Sequence, residues 1–162
     1  MVYKRLLGLV AVFLLLAFPA SALMVSILVV ETGISEDVPS MPYAGLWEGG
    51  LMDAFFDAGH IVTNSPAFRL ERKPAQDLGV FVEDDYNEAI AGGAEYFVLC
   101  FLEYQRRGNS VRPVGIELKL YKTDSNRLVY QQSFPAGSGR NNNDEYQIAR
   151  NAGRTVASQL KD

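Results

Sequence analysis

A chain of 162 residues with 15 Lys and Arg against 19 Asp and Glu carries a formal net charge of -4. That length fits one compact domain behind a targeting segment and excludes two full domains, and 21% charged with 48% hydrophobic residues excludes an extended disordered chain. A pI near 5.0 argues against a nucleic-acid binder, while one Cys and one His exclude an internal disulfide, a Cys-based zinc site, an iron–sulfur cluster and a multi-His metal site.

Residues 1–22 read as a secretory signal. Lys4 and Arg5 open it, Leu6 to Phe18 is an uninterrupted apolar run, and Pro19 breaks the helix. Ala20-Ser21-Ala22 offers the small residues a signal peptidase accepts, which leaves 23–162 as a single exported, periplasmic domain. The alternative is an N-terminal inner-membrane anchor. Apolar residues continue to Val30 with Ser21 and Ser26 as the breaks after Pro19, so 6–30 is long enough to span a bilayer. No Cys follows the run, so lipid attachment there is excluded. Export also fits the near-absence of Cys, since a free thiol is a liability in an oxidising compartment.

The elements follow in order. Residues 24–31 form a short apolar run, the pattern of a strand buried on both faces. Thr32 to Pro42 is a loop. Tyr43 to Ala58 has helical spacing, with Tyr43, Trp47, Leu51, Ala54, Phe55 and Ala58 on one side. Gly49-Gly50 weakens that helix by roughly 1 kcal/mol per Gly, so tertiary packing must hold it. Gly59 stops it, and His60 to Asn64 is a short strand. Ser65 to Val82 reads as an irregular connection, with Arg69, Glu71, Arg72 and Lys73 between Pro66 and Pro74.

Asp84 to Ala91 is a short helix ended by Gly92-Gly93. Glu95 to Gln105 is the strongest strand. Val111 to Thr123 alternates, with Val114, Ile116, Leu118 and Leu120 on one side and Glu117, Lys119 and Tyr121 on the other. Leu128 to Phe134 follows a tight turn and closes an antiparallel meander. Asn143 or Asp144 is placed to cap the last helix. Its apolar stripe is Tyr146, Ile148, Ala149, Ala152, Gly153, Val156 and Leu160.

The order β-α-β-α-β-β-β-α predicts an α+β (mixed α/β) domain with three helices on one face of a mixed sheet of about five strands. The opposite face carries Glu103, Glu117, Lys119, Tyr121 and Gln131, so it is expected to be wet or to meet a polar partner.

Several short phrases carry a resemblance. They are the apolar strand Val25 to Val30, the helix-Gly-strand unit Leu51 to Val62, and the run Ala91-Gly92-Gly93-Ala94-Glu95-Tyr96-Phe97-Val98-Leu99. Leu118 to Thr123 and Leu128 to Tyr130 complete the set. Their order resembles a family of small bacterial envelope domains. It includes the curli secretion lipoprotein, the lipoprotein that activates a penicillin-binding protein, the middle domain of a flagellar assembly protein and the N-terminal domain of the Tol-system β-propeller. The chain departs from its relatives in three ways. It has neither the membrane-inserting segments of the curli pore, nor a lipidated Cys near the start, nor a long disordered tether. The resemblance implies a soluble envelope domain that binds other proteins.

No residue pattern demands catalysis. His60 lacks a Gly-x-Ser-x-Gly nucleophile turn to serve, and it reads as a strand-edge side chain. Cys100 lies among apolar strand residues and reads as a small buried hydrophobe. Glu83, Asp84, Asp85 and Glu88 lack calcium-loop spacing and suit a helix N-terminus. Glu31, Glu36 and Asp37 flank a loop without the signs of a sugar cleft. No glycine pair has phosphate-cradle spacing. No catalytic residue, metal or cofactor is therefore expected.

Met52 and Phe56 stand out, because they sit roughly 90° off the main stripe of the first helix. With Leu46 they make that helix apolar around more than half its girth. The 65–82 connection or a partner is expected to cover them. The expected partner surface is Met52, Phe56, Glu103, Glu117, Lys119 and Tyr121. Its expected role is a non-enzymatic interaction module for envelope assembly or maintenance. Its partners would be envelope proteins and copies of itself, with no nucleic acid, and with membrane contact only through a retained signal. The alternative is a binder of a small ligand or peptidoglycan fragment, with a pocket between the helices and the 65–82 loop. An unusual hydrolase ranks last.

Overall fold

Two apolar runs set far apart in the sequence lie side by side. β1 (Met24–Thr32) and β4 (Tyr96–Arg107) pair in parallel, from Val25 beside Tyr96 to Thr32 beside Glu103. The computed structural model describes residues 22–35, 38, 42–108 and 110–160, and in it a mixed six-stranded sheet grows outward from this pair. β2 (Ile61–Asn64) and β3 (Phe68–Leu70) follow one another along the outer edge of β1, both parallel to it. β5 (Ser110–Lys122) and β6 (Arg127–Phe134) extend the other side as the expected antiparallel meander. The signal reading of residues 1–21 lies outside the described residues.

The class is the expected α+β, with helices α1 (Tyr43–Asp57), α2 (Glu83–Ala91) and α3 (Asn142–Ala157). The sheet has six strands rather than about five. The extra one is β3, three residues inside the segment read as irregular. A strand that short shows no alternation to read.

The helices do not share one face. Val25, Ile27, Val29, Val98, Cys100 and Leu102 pack with Trp47, Leu51 and Phe55 of α1 and Ala149, Ala152 and Val156 of α3. The residues between them, Leu28, Val30, Phe97, Leu99 and Phe101, pack with Val82 and with Tyr86 and Ala89 of α2. Side chains alternate along a strand, so these sets are opposite faces of one sheet. The reason lies in β1 and β4 themselves. A strand that is apolar at nearly every position exposes hydrocarbon to water unless both its faces are covered.

α1 and α3 cross at small residues. A Cβ on Gly50 would lie 2.7 Å from the Ala149 Cβ, and one on Gly153 would lie 2.6 Å from the Ala54 Cβ. Gly50 is thus where α3 approaches, and that contact offsets the weak helix propensity of the Gly pair. Asn141, not Asn143 or Asp144, caps α3, accepting the Asp144 N–H at 2.9 Å. Glu145 follows and is 1% exposed. Its carboxylate accepts the Trp47 indole N–H at 2.8 Å and the N–H groups of Gly137 and Gly139 at 2.7 and 2.9 Å. This one side chain ties α1, α3 and the 135–139 loop together.

The alternation in β5 slips once. Glu103 pairs with Gly115 and Tyr104 with Pro113, which leaves Val114 as the extra residue of a bulge. Ile116, Leu118 and Leu120 enter the α1–α3 core as expected, but Val114 is exposed.

Candidate interaction surface

The second face of the sheet is covered in steps. At the N-terminal end of β4, Tyr86 of α2 meets Phe97 edge-on, with ring centres 5.1 Å apart. Its hydroxyl donates to Asn126 Oδ1 at 2.8 Å. Further along, the segment between β3 and α2 crosses the meander as a strap. Asp77 of the strap accepts from Lys119 Nζ at 2.7 Å and from the Tyr121 hydroxyl at 2.6 Å. Lys73 pairs with Glu117, which also takes Lys119 at 3.2 Å and the Gln131 amide at 2.6 Å. The Lys73 and Lys119 ammonium groups sit 4.9 and 5.7 Å from the centre of the Phe101 ring. A cation at that distance is attracted to the ring face.

Three of the expected surface residues, Glu117, Lys119 and Tyr121, therefore meet in one network. The network faces inward: Lys119 is 8% exposed and Tyr121 6%. Burial opposes ionisation of Asp77, but the hydrogen bonds from Lys119 and Tyr121 prevail and hold its carboxyl below the ordinary 3.8. Glu117 behaves alike. Burial raises it, Lys73 and Lys119 lower it, and the net shift is downward from 4.5. Burial works against the Lys119 charge, yet its two carboxylate partners keep it protonated above its ordinary 10.5. Burial and the Asp77 hydrogen bond push Tyr121 well above the ordinary phenol range. The strap is latched by charge and hydrogen bonding together.

Beyond the strap, toward the C-terminal ends of β1 and β4, the face opens. A groove of about 410 Å³ runs between the strap and β4–β6, lined by Thr32, Arg72, Lys73, Glu103, Glu117 and Ser133. Glu103 is exposed there. Beside the groove, Gly33 adopts φ +78°, and a Cβ at that position would lie 2.5 Å from the Tyr104 carbonyl oxygen. The wall toward β3 is pinned by a buried carboxylate. Glu31 accepts from Arg69 Nε at 2.7 Å and from the Tyr104 hydroxyl at 2.5 Å, and Arg69 also donates to the Val38 carbonyl at 2.6 Å.

The α1 flank lies on the other side of the sheet. Met52 is half-buried against the α1–α3 core, while Phe56 is 73% exposed. The strap does not cover them, because Phe68, Leu70 and Leu78 of the 65–82 segment pack on the α2 side. The expected surface is thus three places: an inward latch, an open groove edge at Glu103, and a lone aromatic at the end of α1.

Sequence reasoning missed Asp77, Glu31 with Arg69 and Tyr104, and Glu145. One signal was available. A Lys facing inward from a central strand needs a carboxylate opposite it, and the 65–82 segment supplies one at Asp77. Cys100 is fully buried, and burial pushes its thiol far above the ordinary value. The His60 ring lies 6.5 Å from that of Phe55. Among the described residues, no group of three or more His, Cys, Asp and Glu is placed to hold a metal ion. Nor is any described helix long and apolar enough to cross a membrane.

No protein-family model and no curated protein matches the sequence. Solved structures do. A PelC dodecamer from Paraburkholderia phytofirmans superposes with a TM-score of 0.50 at 14% identity, over 88% of this chain and 92% of that one. The C-terminal domain of LpoB from Salmonella enterica superposes at 0.43 with 11% identity, over 81% and 94%. TolB from Acinetobacter baumannii gives 0.39 with 15% identity, over 87% of this chain and 28% of that one. At these identities the likeness is one of fold. It rests on the PelC superposition, which shows the same order of strands and helices and nothing of role.

Proposed function

We propose that the chain is a non-enzymatic, exported module of the cell envelope that binds a partner protein along the open groove of its second sheet face. The observation that carries this reading is the half-covered face. The strap is latched across the middle of the meander and leaves a rim of both charge signs, Arg72 and Lys73 with Glu71, Glu103 and Glu117, Lys73 being paired with Glu117. Such a rim suits a polar segment held by complementary charges, which set orientation and partner choice. Export follows from the leader, with the domain released to the periplasm after Ala22.

The test is a photo-cross-linker placed at Glu103 or Ser133 in intact cells, with Gln147 on the exposed side of α3 as the control. A reproducible envelope protein captured from the first two positions and not from the third supports the reading. Equal capture from all three positions, or none from the groove, overturns it. A PelC dodecamer shares the fold, so copies of this chain count among the partners the cross-linker reports. Mass spectrometry of the periplasmic form should find Leu23 as its first residue.

A second reading rests on the size of the groove. About 410 Å³ lies within the roughly 300–1,000 Å³ range of small-ligand sites, which suits a charged envelope fragment. A melting-temperature screen with peptidoglycan fragments separates the two readings, since a ligand bound only by the folded state raises the transition.

A further inference from the structure

Exposed apolar side chains are not spread evenly over this molecule. Among the described residues seven large ones are exposed, and four of them, Phe56, Ile61, Ile90 and Leu128, lie at one end of the sheet. Main-chain pairing fixes that end. The Ile61 N–H donates to the Leu23 carbonyl and the Glu95 N–H to the Met24 carbonyl, so β1, β2 and β4 all begin there. α1 comes down to it, the Gly59 N–H closing on the Phe56 carbonyl. α2 comes down to it as well, the Gly93 N–H closing on the Ile90 carbonyl. Leu128 sits beside Tyr121 at the start of β6, next to the turn that leaves β5 at the same end.

The chain enters the domain at this end, and it arrives from the apolar run Leu6 to Phe18. Four residues separate Phe18 from Leu23, a span of at most about 18 Å when fully extended. Until the leader is cut after Ala22, its seat in the bilayer holds this end of the sheet, and no other, against the membrane surface. The charges here are mixed, so the apolar side chains carry the contact. Lys122 pairs with Asp124 at 3.3 Å, and Asp57 is paired with Arg150. Arg127 is exposed near Asp124, and Glu88 and Glu95 are exposed at the same end.

We propose that this end of the domain is a lipid-contact surface, with Phe56, Ile61, Ile90 and Leu128 seated among the headgroups and first acyl carbons of the bilayer. Shallow burial of a few large apolar side chains is how peripheral domains hold to such an interface. Contact here leaves the groove at the far end of β4 facing away from the membrane. The two proposals therefore fail independently.

The test uses the full chain, made by cell-free synthesis so that the leader is retained, in vesicles of phosphatidylethanolamine and phosphatidylglycerol at three to one. Single cysteines replace Phe56, Ile61, Ile90 or Leu128, with Phe81 and Val114 as exposed apolar controls elsewhere. Each carries an environment-sensitive fluorophore, and Cys100 stays unlabelled because it is fully buried. The four test positions should emit to the blue and be quenched severalfold more than the controls by a nitroxide near the top of the acyl chain. The variant F56D/I61D should lose most of the quenching at position 128. Quenching at the four positions no greater than at the controls overturns the proposal, and so does blue emission without lipid-borne quenching, which marks a protein contact. Unchanged quenching at 128 in the double variant overturns it too, because the four residues would then not form one surface. The leader holds every variant on the vesicle, so each failure reports on the surface itself.

Discussion

The two faces of this sheet are closed by different physics. On one, α1 and α3 meet at Gly50, Ala54, Ala149 and Gly153 over an aliphatic and aromatic core. On the other, a single short helix covers one end and a strap with little regular structure covers the middle. There the contacts are Asp77, Lys119, Glu117, Lys73 and Tyr121. The first face rests mainly on area removed from water, a contribution that does not titrate. The second has an apolar cluster under α2 as well, but its strap is held by ion pairs and hydrogen bonds, which are sensitive to pH. Within one domain, the tightly packed face acts as scaffold, and the latched face borders the open groove.

The strongest way to break the comparison is at the packed face. Trp47→Ala removes a fully buried ring and a donor to Glu145, and it should cost about 3–5 kcal/mol. Urea denaturation followed by circular dichroism would show it as a cooperative loss of the whole domain. Lys119→Met at the latched face leaves the Asp77 and Glu117 carboxylates short of a cation, at a cost of about 1–3 kcal/mol. Its signature should be local: faster proteolysis within 71–82, with the helices of the first face still protected. Gly50→Ala tests how closely the helices pack. Its Cβ would meet the Tyr146 carbonyl oxygen at 2.8 Å and the Ala149 Cβ at 2.7 Å, so about 1–2 kcal/mol should be lost, although Ala is the better helix former.

The smallest expected effect is the most diagnostic. Asp77 and Glu117 are held below their ordinary 3.8 and 4.5. Their contribution is complete above those values and is lost as pH falls through the lowered ones. Lys119 and Tyr121 are held above their ordinary 10.5 and 10.0. Their contribution is complete below those values and is lost as pH rises through the raised ones. Protection of the strap against protease should therefore form a plateau between about pH 4.5 and 10.0. Lys119→Met should lower and flatten that plateau, while Gly50→Ala should leave its shape unchanged.

Much of this was legible in the sequence. The helical spacing from Tyr43, the alternation of Ile116, Leu118 and Leu120, and the turns at Gly92-Gly93 and 124–127 each express a local rule. The two-sided sheet was half legible. The unbroken run Tyr96 to Leu102 calls for cover on both faces, which is inconsistent with three helices on one, and that conflict was the clue to α2. Other features lay beyond local rules. β3 is too short to show a period, and the bulge at Val114 shifts the phase of an otherwise clean strand. Glu145 is hidden because an acid in the first turn of a helix reads as a solvated dipole partner, whereas here the side chain is buried and accepts from the Trp47 indole and two loop N–H groups. As for the expected surface, the sequence grouped Glu117, Lys119 and Tyr121 correctly. The need of Lys119 for a carboxylate was the one clue that Asp77, 42 residues before it, would close over them, and nothing local pointed to that distant segment.

β1 bears on how the chain reaches its native state. It precedes the other described strands and lies inside the finished sheet, yet its principal partner β4 is synthesised about seventy residues later, Met24 and Glu95 being 71 positions apart. Until then a nine-residue strand, MVSILVVET, has its inner edge open, because β2 and β3 can pair only with its outer one, and both its faces are apolar. Non-local parallel pairing of this kind forms slowly, and an unpaired apolar strand is the part of a folding intermediate most prone to self-association. The interval between the appearance of β1 and that of β4 is therefore when this protein most needs a chaperone.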